Sequence, residues 1–161
     1  MAVTTHDPVA RPALTFDDLF EREREAMVMV AFLITRSAAV AEELAHDAFV
    51  EVYERWDRVE RPGAYLRRCV VNRAVRHNRR HDRVEAIDDR RLNGTSTASS
   101  LGYDHTLHAL GTLDPKARAM VVLRYYASLS QEEVADAMGI PVGTVKSGLH
   151  RALNQLKEVL S

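Results

Sequence analysis

Apolar residues recur at helical spacing through most of this 161-residue chain, and that periodicity limits the fold more than any other feature. The alternation of apolar and polar residues that is typical of β-strands is not evident in any segment. Glycine and proline, which interrupt helices, are sparse at 7 and 5 residues. The sequence therefore predicts an all-α fold.

Recognisable start and stop signals separate the predicted helices. Asp114 and Pro115 form a helix-start pair, with aspartate as the cap and proline at the first helical position. Ser130 and Glu133 form a capping box, and Gly139 is placed to end the same helix in a left-handed conformation. The predicted helices cover residues 16–34, 41–56, 62–81, 116–126, 130–138 and 142–160.

A polar stretch divides these helices into two groups. Residues 93–100 contain almost no side chain that a core could bury, which is typical of a flexible linker. We expect a disordered N-terminal tail at residues 1–14, a helical domain at 15–82, a linker at 83–103 and a second helical domain at 104–161. The predicted architecture is two small helical domains joined by a flexible linker.

The net charge of −1 conceals a strong separation of charge along the chain. Residues 16–60 hold twelve acidic and five basic side chains, a net charge of −7. Residues 61–83 hold eight arginines and one aspartate, a net charge of +7, and residues 141–157 carry only positive charges. Such a separation favours different partners for different surfaces.

The two helices that meet at Gly139 have the pattern of a helix-turn-helix. The second of them lacks acidic residues before Glu158, which suits insertion between the phosphates that line the DNA major groove. The alternative interpretation is an αα-hairpin in an ordinary helical bundle. The side chains predicted to contact DNA are Thr144, Lys146, Ser147, His150 and Arg151.

The arginine-rich helix predicted at residues 62–81 favours nucleic acid as a partner. Arginines hold phosphates, while Trp56, Tyr65 and His77 supply rings that can stack on unpaired bases. A solvated basic face is the alternative here, and a solvated amphipathic face is the alternative for the acidic segment around Glu43. The residues predicted to bind DNA from this region are Arg61, Arg68, Asn72, Arg76 and Arg79.

Catalysis and metal binding find little support in the sequence. Glu43 and His46 have the Glu-x-x-His spacing of di-iron bundles, but such sites need a second copy and further glutamates. His77 and His81 are surrounded by arginines that repel a cation. Cys69, the single cysteine, lies in an apolar stretch and is interpreted as a small buried hydrophobe. We expect no enzymatic activity, no cofactor and no metal.

Neither a membrane span nor a secretory signal is evident. No apolar run approaches the roughly 18 residues of a membrane-spanning helix, and the polar N-terminus lacks the apolar core of a signal peptide. We therefore expect a cytoplasmic protein without a membrane partner.

Three segments, taken in order, resemble the two-domain extracytoplasmic-function (ECF) sigma factors of the bacterial sigma-70 family. The part that resembles the segment binding the clamp helices of the RNA polymerase β′ subunit is AEELAHDAFVEVYERWDRV (41–59). The part that resembles the promoter −10 melting and recognition helix is PGAYLRRCVVNRAVRHNRRH (62–81). The part that resembles the −35-reading domain is LDPKARAMVVLRYYASLSQEEVADAMGIPVGTVKSGLHRALNQLK (113–157). The resemblance implies a sigma factor that directs promoter recognition and transcription initiation.

The resemblance also implies roles for individual positions. Glu43, His46 and Asp47 match the acid, glutamine and acid that contact core polymerase, with histidine and aspartate in place of the usual glutamine and glutamate. Asn72 matches an asparagine near the −10 base-reading loop, which would be the turn at residues 60–63. The residues that match the family's −35 major-groove contacts are Lys146, Ser147 and Arg151.

Gly148 departs from the family pattern, which commonly has arginine at this place. We interpret it as a glycine in a helix interior, so Gly148→Ala is expected to stabilise the C-terminal domain by roughly 0.5–1 kcal/mol. Gly148→Arg is expected to do the same and to add a cation beside the DNA backbone. The alternative is that Gly148 permits close approach of the helix to DNA or to a partner, in which case any side chain would weaken binding.

The implied partners are bacterial core RNA polymerase, through its β′ clamp helices and β flap, promoter DNA and an anti-sigma factor. A free-standing helix-turn-helix transcriptional regulator is the first alternative, and it leaves the acidic and arginine-rich helices unexplained. An anti-sigma-like or scaffold protein without DNA contacts is the second, and it leaves the basic recognition helix unexplained.

Overall fold

A computed structural model of the chain describes residues 13–85 and 101–161, and every regular element in these ranges is helical. The N-terminal group comprises α1 (Phe16–Thr35), α2 (Ala38–Glu54), a 3₁₀ turn (Trp56–Arg58) and α3 (Pro62–Glu85). The C-terminal group comprises α4 (Leu101–Gly111), α5 (Pro115–Val121) with a π-helical turn (Val122–Tyr126), α6 (Gln131–Met138) and α7 (Val142–Leu160). The predicted all-α fold is confirmed.

The predicted tail and linker lie largely outside the described ranges. α3 and α4 each extend three residues into the predicted linker, at 83–85 and 101–103. The division of the chain into two domains therefore stays a prediction, and the two helical groups are compared below as groups of elements.

Local signals set the starts of α5 and α6 and the end of α6, although only the serine half of the capping box predicted at Ser130 and Glu133 is present. The Asp114 side chain accepts a hydrogen bond from the Ala117 amide at 2.9 Å, and the Ser130 hydroxyl accepts one from the Glu133 amide at 3.1 Å. Gly139 ends α6 with φ of 64°, in the left-handed region where glycine carries no steric penalty. These caps fix where α5 and α6 begin and where the chain turns towards α7.

The N-terminal group is a three-helix arrangement in which each helix packs on the other two. α2 and α3 each bury one side in the core of this group. The fully buried large side chains of this group are Val30, Ile34, Val52, Leu66, Val70 and Val71. Burial of such side chains contributes most of the stability of a small helical bundle.

The two groups also pack on each other through one continuous apolar core. α3 lies against α5 and α6, while α1 lies against α4, α5 and the π-helical turn. The arginine-rich helix thus has the C-terminal group as a neighbour, a contact that decides what its polar face can reach. None of the described helices is long and apolar enough to span a bilayer.

Candidate nucleic-acid and protein interfaces

α2 presents an acidic stripe opposite its buried side. Its apolar residues enter the core, which leaves Glu43, His46 and Asp47 together on the exposed face at spacings of three and four residues. The stripe continues past an apolar residue, Val50, to Tyr53, whose side chain is 65% exposed. All three predicted docking residues therefore share one accessible surface.

An aromatic cluster supports this face from below. The rings of Phe16, Phe20, Phe49, Tyr53 and Trp56 meet with centroid separations of 5.0 to 6.3 Å. Most of these contacts are edge-to-face, the geometry that the ring quadrupoles favour. Trp56, expected to stack on unpaired bases, is half-buried in this cluster and contributes to packing.

Glu51 joins α2 to α3 through a small polar cluster. Its carboxylate accepts hydrogen bonds from the Tyr65 hydroxyl and from the Arg73 guanidinium, both at 2.8 Å. The Arg73 bond and then the Tyr65 bond lower the pKa of Glu51, and the same contacts raise the pKa values of both partners. Tyr65, the second predicted stacking residue, is therefore occupied in holding two helices together.

Cys69 lies beside this cluster and is buried, as the sequence predicts. Burial and then the nearby Glu51 carboxylate raise the pKa of its thiol to about 11.

α3 carries an exposed basic face that includes all five residues predicted to bind DNA there. The exposed residues are Arg61, Arg68, Asn72, Arg76 and Arg79. The third predicted stacking residue, His77, is half-buried and stacks on His81 with ring centroids 5.9 Å apart. The face is thus a continuous strip of guanidinium groups around one asparagine.

The C-terminal group borders this strip. Asn72, Arg76 and Arg79 line a cavity of about 210 Å³ whose other wall includes Lys116 and Met138. Nearer the start of α3, a second cavity of about 320 Å³ separates two arginines from the acidic side of α6. The charged residues that line it are Arg61, Arg67, Glu132, Glu133 and Asp136. The basic face is therefore bordered by protein on one side and open to solvent on the other.

α7 divides cleanly into a packed side and an open side. Val145, Gly148, Leu149 and Ala152 are buried against α5 and α6. The open side carries every residue predicted to contact DNA from this helix, namely Thr144, Lys146, Ser147, His150 and Arg151. The helix follows the left-handed turn at Gly139, so the predicted helix-turn-helix geometry is present.

The expectation that Gly148→Arg would add a cation beside the DNA backbone is wrong. Gly148 is buried, and a Cβ atom at this position would lie 2.6 Å from the Met120 sulfur. The residue faces α5 and not solvent, because it lies on the same side of the helix as the buried residues Val145 and Leu149. An arginine here would enter the core, and an alanine would require Met120 to move.

A buried polar junction ties the two groups together, and sequence reasoning missed it. Arg118 is 3% exposed and donates to carbonyl oxygens at the ends of α1 and α4, of which Ile34 accepts at 2.6 Å and Leu110 at 2.8 Å. Asn78 on α3, also 3% exposed, donates to the same Ile34 oxygen. These carbonyls have no partner within their own helices and carry the negative ends of the helix dipoles.

A signal for this junction is present in the sequence. Asn78 continues the four-residue spacing of the buried residues Leu66, Val70 and Ala74, and Arg118 interrupts an apolar run. A polar residue in an apolar register either disrupts a core or bonds inside it. The spacing could have identified both residues as buried, although not their shared acceptor.

Within the described residues no cluster of three or more histidine, cysteine, aspartate or glutamate side chains could hold a metal ion. Glu43 and His46 lie on the exposed face of α2, without further acidic ligands from a facing helix. The exposed polar faces of α2, α3 and α7 are suited to binding macromolecular partners.

Two family descriptions match the chain in the order that the surfaces suggest. Residues 19–84 match Sigma-70 region 2, and residues 109–158 match Sigma-70, region 4. The first contains α2 and α3, and the second contains α5 to α7.

Curated relatives match along most of the chain. The RNA polymerase sigma-E factor of Streptomyces avermitilis is 34% identical over 154 residues, which is 91% of this chain and 86% of the relative. The ECF RNA polymerase sigma factor SigE of Mycolicibacterium smegmatis is 29% identical over 170 residues, 98% of this chain and 65% of that protein.

Solved structures share the fold. The sigma factor RpoE, in a complex with the anti-sigma factor NepR from Bartonella quintana, aligns with a TM-score of 0.72 at 23% identity, covering 90% of this chain and 96% of that one. CnrH, in a complex with the cytosolic domain of CnrY, aligns with a TM-score of 0.68 at 24% identity, covering 90% and 86%.

Proposed function

The chain belongs to the sigma-70 family of RNA polymerase sigma factors and functions in transcription initiation, and on this premise we propose how its surfaces share that work. α2 docks on core polymerase, α3 binds the −10 element, and α7 reads the −35 element. The observation that carries this assignment is the presence of three separate polar faces over one core. One face is acidic, which suits a basic surface on polymerase, and two are basic, which suits DNA.

The acidic stripe of Glu43, His46 and Asp47 docks on the β′ clamp helices. Its carboxylates are exposed and free to meet a basic surface, and Tyr53 at its end supplies the large amphipathic ring that protein interfaces favour. A net charge of −7 over residues 16–60 also directs this region away from DNA.

The basic face of α3 holds the −10 region as its strands separate. Arg61, Arg68, Arg76 and Arg79 bind phosphates, which fixes the position of the strand but reads no sequence. Asn72, in the middle of this strip, offers an amide that can both donate to and accept from a base edge.

The open face of α7 reads the −35 element in the major groove. Lys146 and Arg151 supply the phosphate or guanine contacts, while the short side chains of Thr144 and Ser147 allow the helix to approach the bases. His150 hydrogen bonds with Asn154 at 3.4 Å and lies one turn further along. The C-terminal group also meets the β flap, as the family resemblance implies.

Three further assignments follow from family membership. Sigma factors give core polymerase its promoter specificity, and we assign this chain no catalytic activity or cofactor of its own. Its place of action is the cytoplasm, where the polymerase works. An anti-sigma factor is a proposed partner, since the related folds of RpoE and CnrH were solved with NepR and with the cytosolic domain of CnrY.

The test is run-off transcription from a genomic library with purified core polymerase, with and without the full chain. Defined transcripts that need the chain support the proposal. Tight, promoter-specific binding by the chain alone, with no effect of core polymerase, would instead favour a free-standing regulator.

Reversal of charge at the acidic stripe sharpens this test. Glu43→Lys combined with Asp47→Lys should abolish co-purification of core polymerase and run-off activity, while helical circular dichroism is retained because both side chains are exposed. The matched control is Asp17→Lys with Glu21→Lys, an exposed pair at the same spacing on α1. Equal loss in both double variants would contradict the docking assignment.

A further inference from the structure

We propose that one cavity of the molecule, called the Lys116 cavity below, binds the diphosphate group of a nucleotide. The cavity has a volume of about 210 Å³ and is bordered by Asn72, Arg76 and Arg79 of α3 and by Lys116 of α5. The rest of its lining is apolar. This site goes beyond the proposed function, and only its consequence for the −10 element, given below, rests on that function.

Three cations converge on the Lys116 cavity, and no carboxylate is among its lining residues. Arg76 and Arg79 belong to α3 and Lys116 belongs to α5, so tertiary packing brings their charges together. Within the described residues, no ion pair or hydrogen bond joins these three side chains or that of Asn72 to another group. Because like charges in a partly enclosed space repel one another, an anion bound between them is attracted by all three.

The neighbouring cavity of about 320 Å³ provides a contrast within the same fold. Its charged lining residues are Arg61, Arg67, Glu132, Glu133 and Asp136. The carboxylates of α6 supply negative charge there, whereas the lining of the Lys116 cavity supplies none. Of the two cavities beside α3, the Lys116 cavity is therefore the one that favours an external anion.

Charge and size both fit a diphosphate group. The terminal phosphate of a nucleoside diphosphate carries nearly two negative charges at neutral pH and the inner phosphate adds one, which gives a total of about −3. This total balances the positive charges of Arg76, Arg79 and Lys116. The volume of about 210 Å³ is below the roughly 300–1,000 Å³ of sites that enclose a drug-sized ligand. The cavity therefore encloses the diphosphate, and the nucleoside extends beyond it.

The apolar part of the lining favours a nucleotide over inorganic diphosphate. Val71 and Val75 are buried, while Met138 and Ile140 are half-buried at the end of α6 and in the turn that follows. A thioether makes favourable contacts with aromatic rings, so Met138 can pack against a base. The Asn72 amide can both donate to and accept from a ribose hydroxyl or a base edge. Inorganic diphosphate offers no group that uses these contacts.

On the proposed function, such a ligand competes with promoter DNA. Asn72, Arg76 and Arg79 line the cavity and are also assigned above to the −10 element. Bonds from arginine to phosphate are charge-assisted and frequently bidentate, so a guanidinium engaged by the diphosphate has few donors left for a DNA phosphate. A bound nucleoside diphosphate therefore weakens binding of the −10 strand.

Isothermal titration calorimetry of the full chain with ADP, in the absence of magnesium, tests the site. We expect one molecule of ADP bound per chain, weaker binding of inorganic diphosphate, and no binding of adenosine. Equal affinity for ADP and inorganic diphosphate would overturn the assignment to a nucleotide. Absence of ADP binding would overturn the whole proposal.

Lys116→Met tests the contribution of one cation. The side chain is exposed, so the fold should be retained, as circular dichroism can verify, while the affinity for ADP should fall roughly tenfold. Lys157→Met makes the same change at an exposed position of α7 outside the cavity and should leave the affinity unchanged. Equal weakening in the two variants would show that net charge alone attracts the ligand, which contradicts the proposal.

Methyl NMR on the chain labelled at its methionine methyl groups locates the ligand. ADP should shift the Met138 signal, which Met138→Leu identifies by its disappearance. The signal of Met27, buried in the N-terminal group, should not move. ADP binding without a shift at Met138 would place the ligand elsewhere and overturn the site.

Competition distinguishes failure of this site from failure of the proposed function. ADP should displace a fluorescein-labelled oligothymidine from the free chain, and Lys116→Met should require roughly tenfold more ADP. If the oligothymidine binds but ADP does not, the arginines serve nucleic acid alone, which overturns the nucleotide site and leaves the −10 assignment intact. If ADP binds as expected but the chain supports no run-off transcription with core polymerase, only the proposed function fails.

Discussion

α3 and α7 are both basic helices, but their polar faces have different surroundings in the structure. The open side of α7 faces solvent along its whole length, whereas the polar strip of α3 borders α5 and α6. The main helix contacts of α7 are with α4, α5 and α6 of its own group, whereas α3 packs on helices of both groups. Two helices with similar proposed ligands thus differ in how directly those ligands can reach them.

The difference shows that residue type alone does not decide access. In α7, neighbouring residues can lie on the packed side or on the open side. The role of each residue therefore depends on its angle around the helix. In α3, Arg61 lines a cavity with the acidic side chains of α6, while Arg76 and Arg79 line another with Lys116. The neighbours of a basic side chain therefore matter as much as its own charge.

The largest expected effect is a loss of stability from a substitution on the packed side of α7. Gly148→Arg places a charged side chain against Met120 in a core with no room for it, and should destabilise the C-terminal group by about 3 kcal/mol or more. Urea denaturation monitored by circular dichroism measures this loss. Ser147→Arg, one residue away on the open side, should retain wild-type stability.

Gly148→Ala belongs to the same comparison. The gain from helix propensity, about 1 kcal/mol, should be offset because the new methyl group requires the Met120 side chain to move. A stabilisation equal to the full propensity gain would show that Met120 moves freely.

A middle-sized effect would sharpen the contrast between the two basic faces. In the free chain, Arg151→Ala should lower the salt dependence of non-specific duplex binding by about one phosphate contact, because this arginine is open to DNA. Arg76→Ala should change the slope much less, since its face borders the C-terminal group. Fluorescence titration across a salt series gives both slopes. An equal decrease in slope for the two variants would show that DNA reaches both faces equally well.

The smallest effect concerns the ion pair that fixes α3 on α2. The pKa of Glu51 is lower in the folded chain than its ordinary value of 4.5, so its bonds stabilise the fold above that pH and are lost as pH falls through the lowered value. Both partners are about one-third exposed, so Glu51→Gln should cost only about 0.5 kcal/mol at pH 7. Urea midpoints of the variant and wild type should converge as pH falls below the lowered pKa. A constant difference across the pH range would exclude the charge as the cause.

Local chemistry explains why much of the fold could be predicted. Asp114, Ser130 and Gly139 act on their own neighbours in the chain, so the helix ends they set are readable without tertiary structure. The exposed stripes on α2 and α7 follow from helical periodicity. α2 begins three residues earlier than expected because the Ser37 side chain caps it.

What could not be predicted depends on contacts between distant segments. The bond from Arg118 to Ile34 joins residues 84 positions apart, and no local pattern specifies such a pair. Gly148 was misread for the same reason, since its position relative to Met120 depends on how α5 packs against α7. The ring of Tyr65 suited base stacking in sequence, yet its hydroxyl is bonded to Glu51 on another helix.

Cys69 has a consequence for how the protein responds to oxidants. Burial raises the pKa of its thiol to about 11 and keeps it protonated at neutral pH, whereas the thiolate is the form that attacks peroxides and disulfides. The side chain is also buried, so reagents must wait for local unfolding to reach it. The single sulfhydryl of the chain is thus protected from oxidants and thiol reagents for as long as the N-terminal group stays folded.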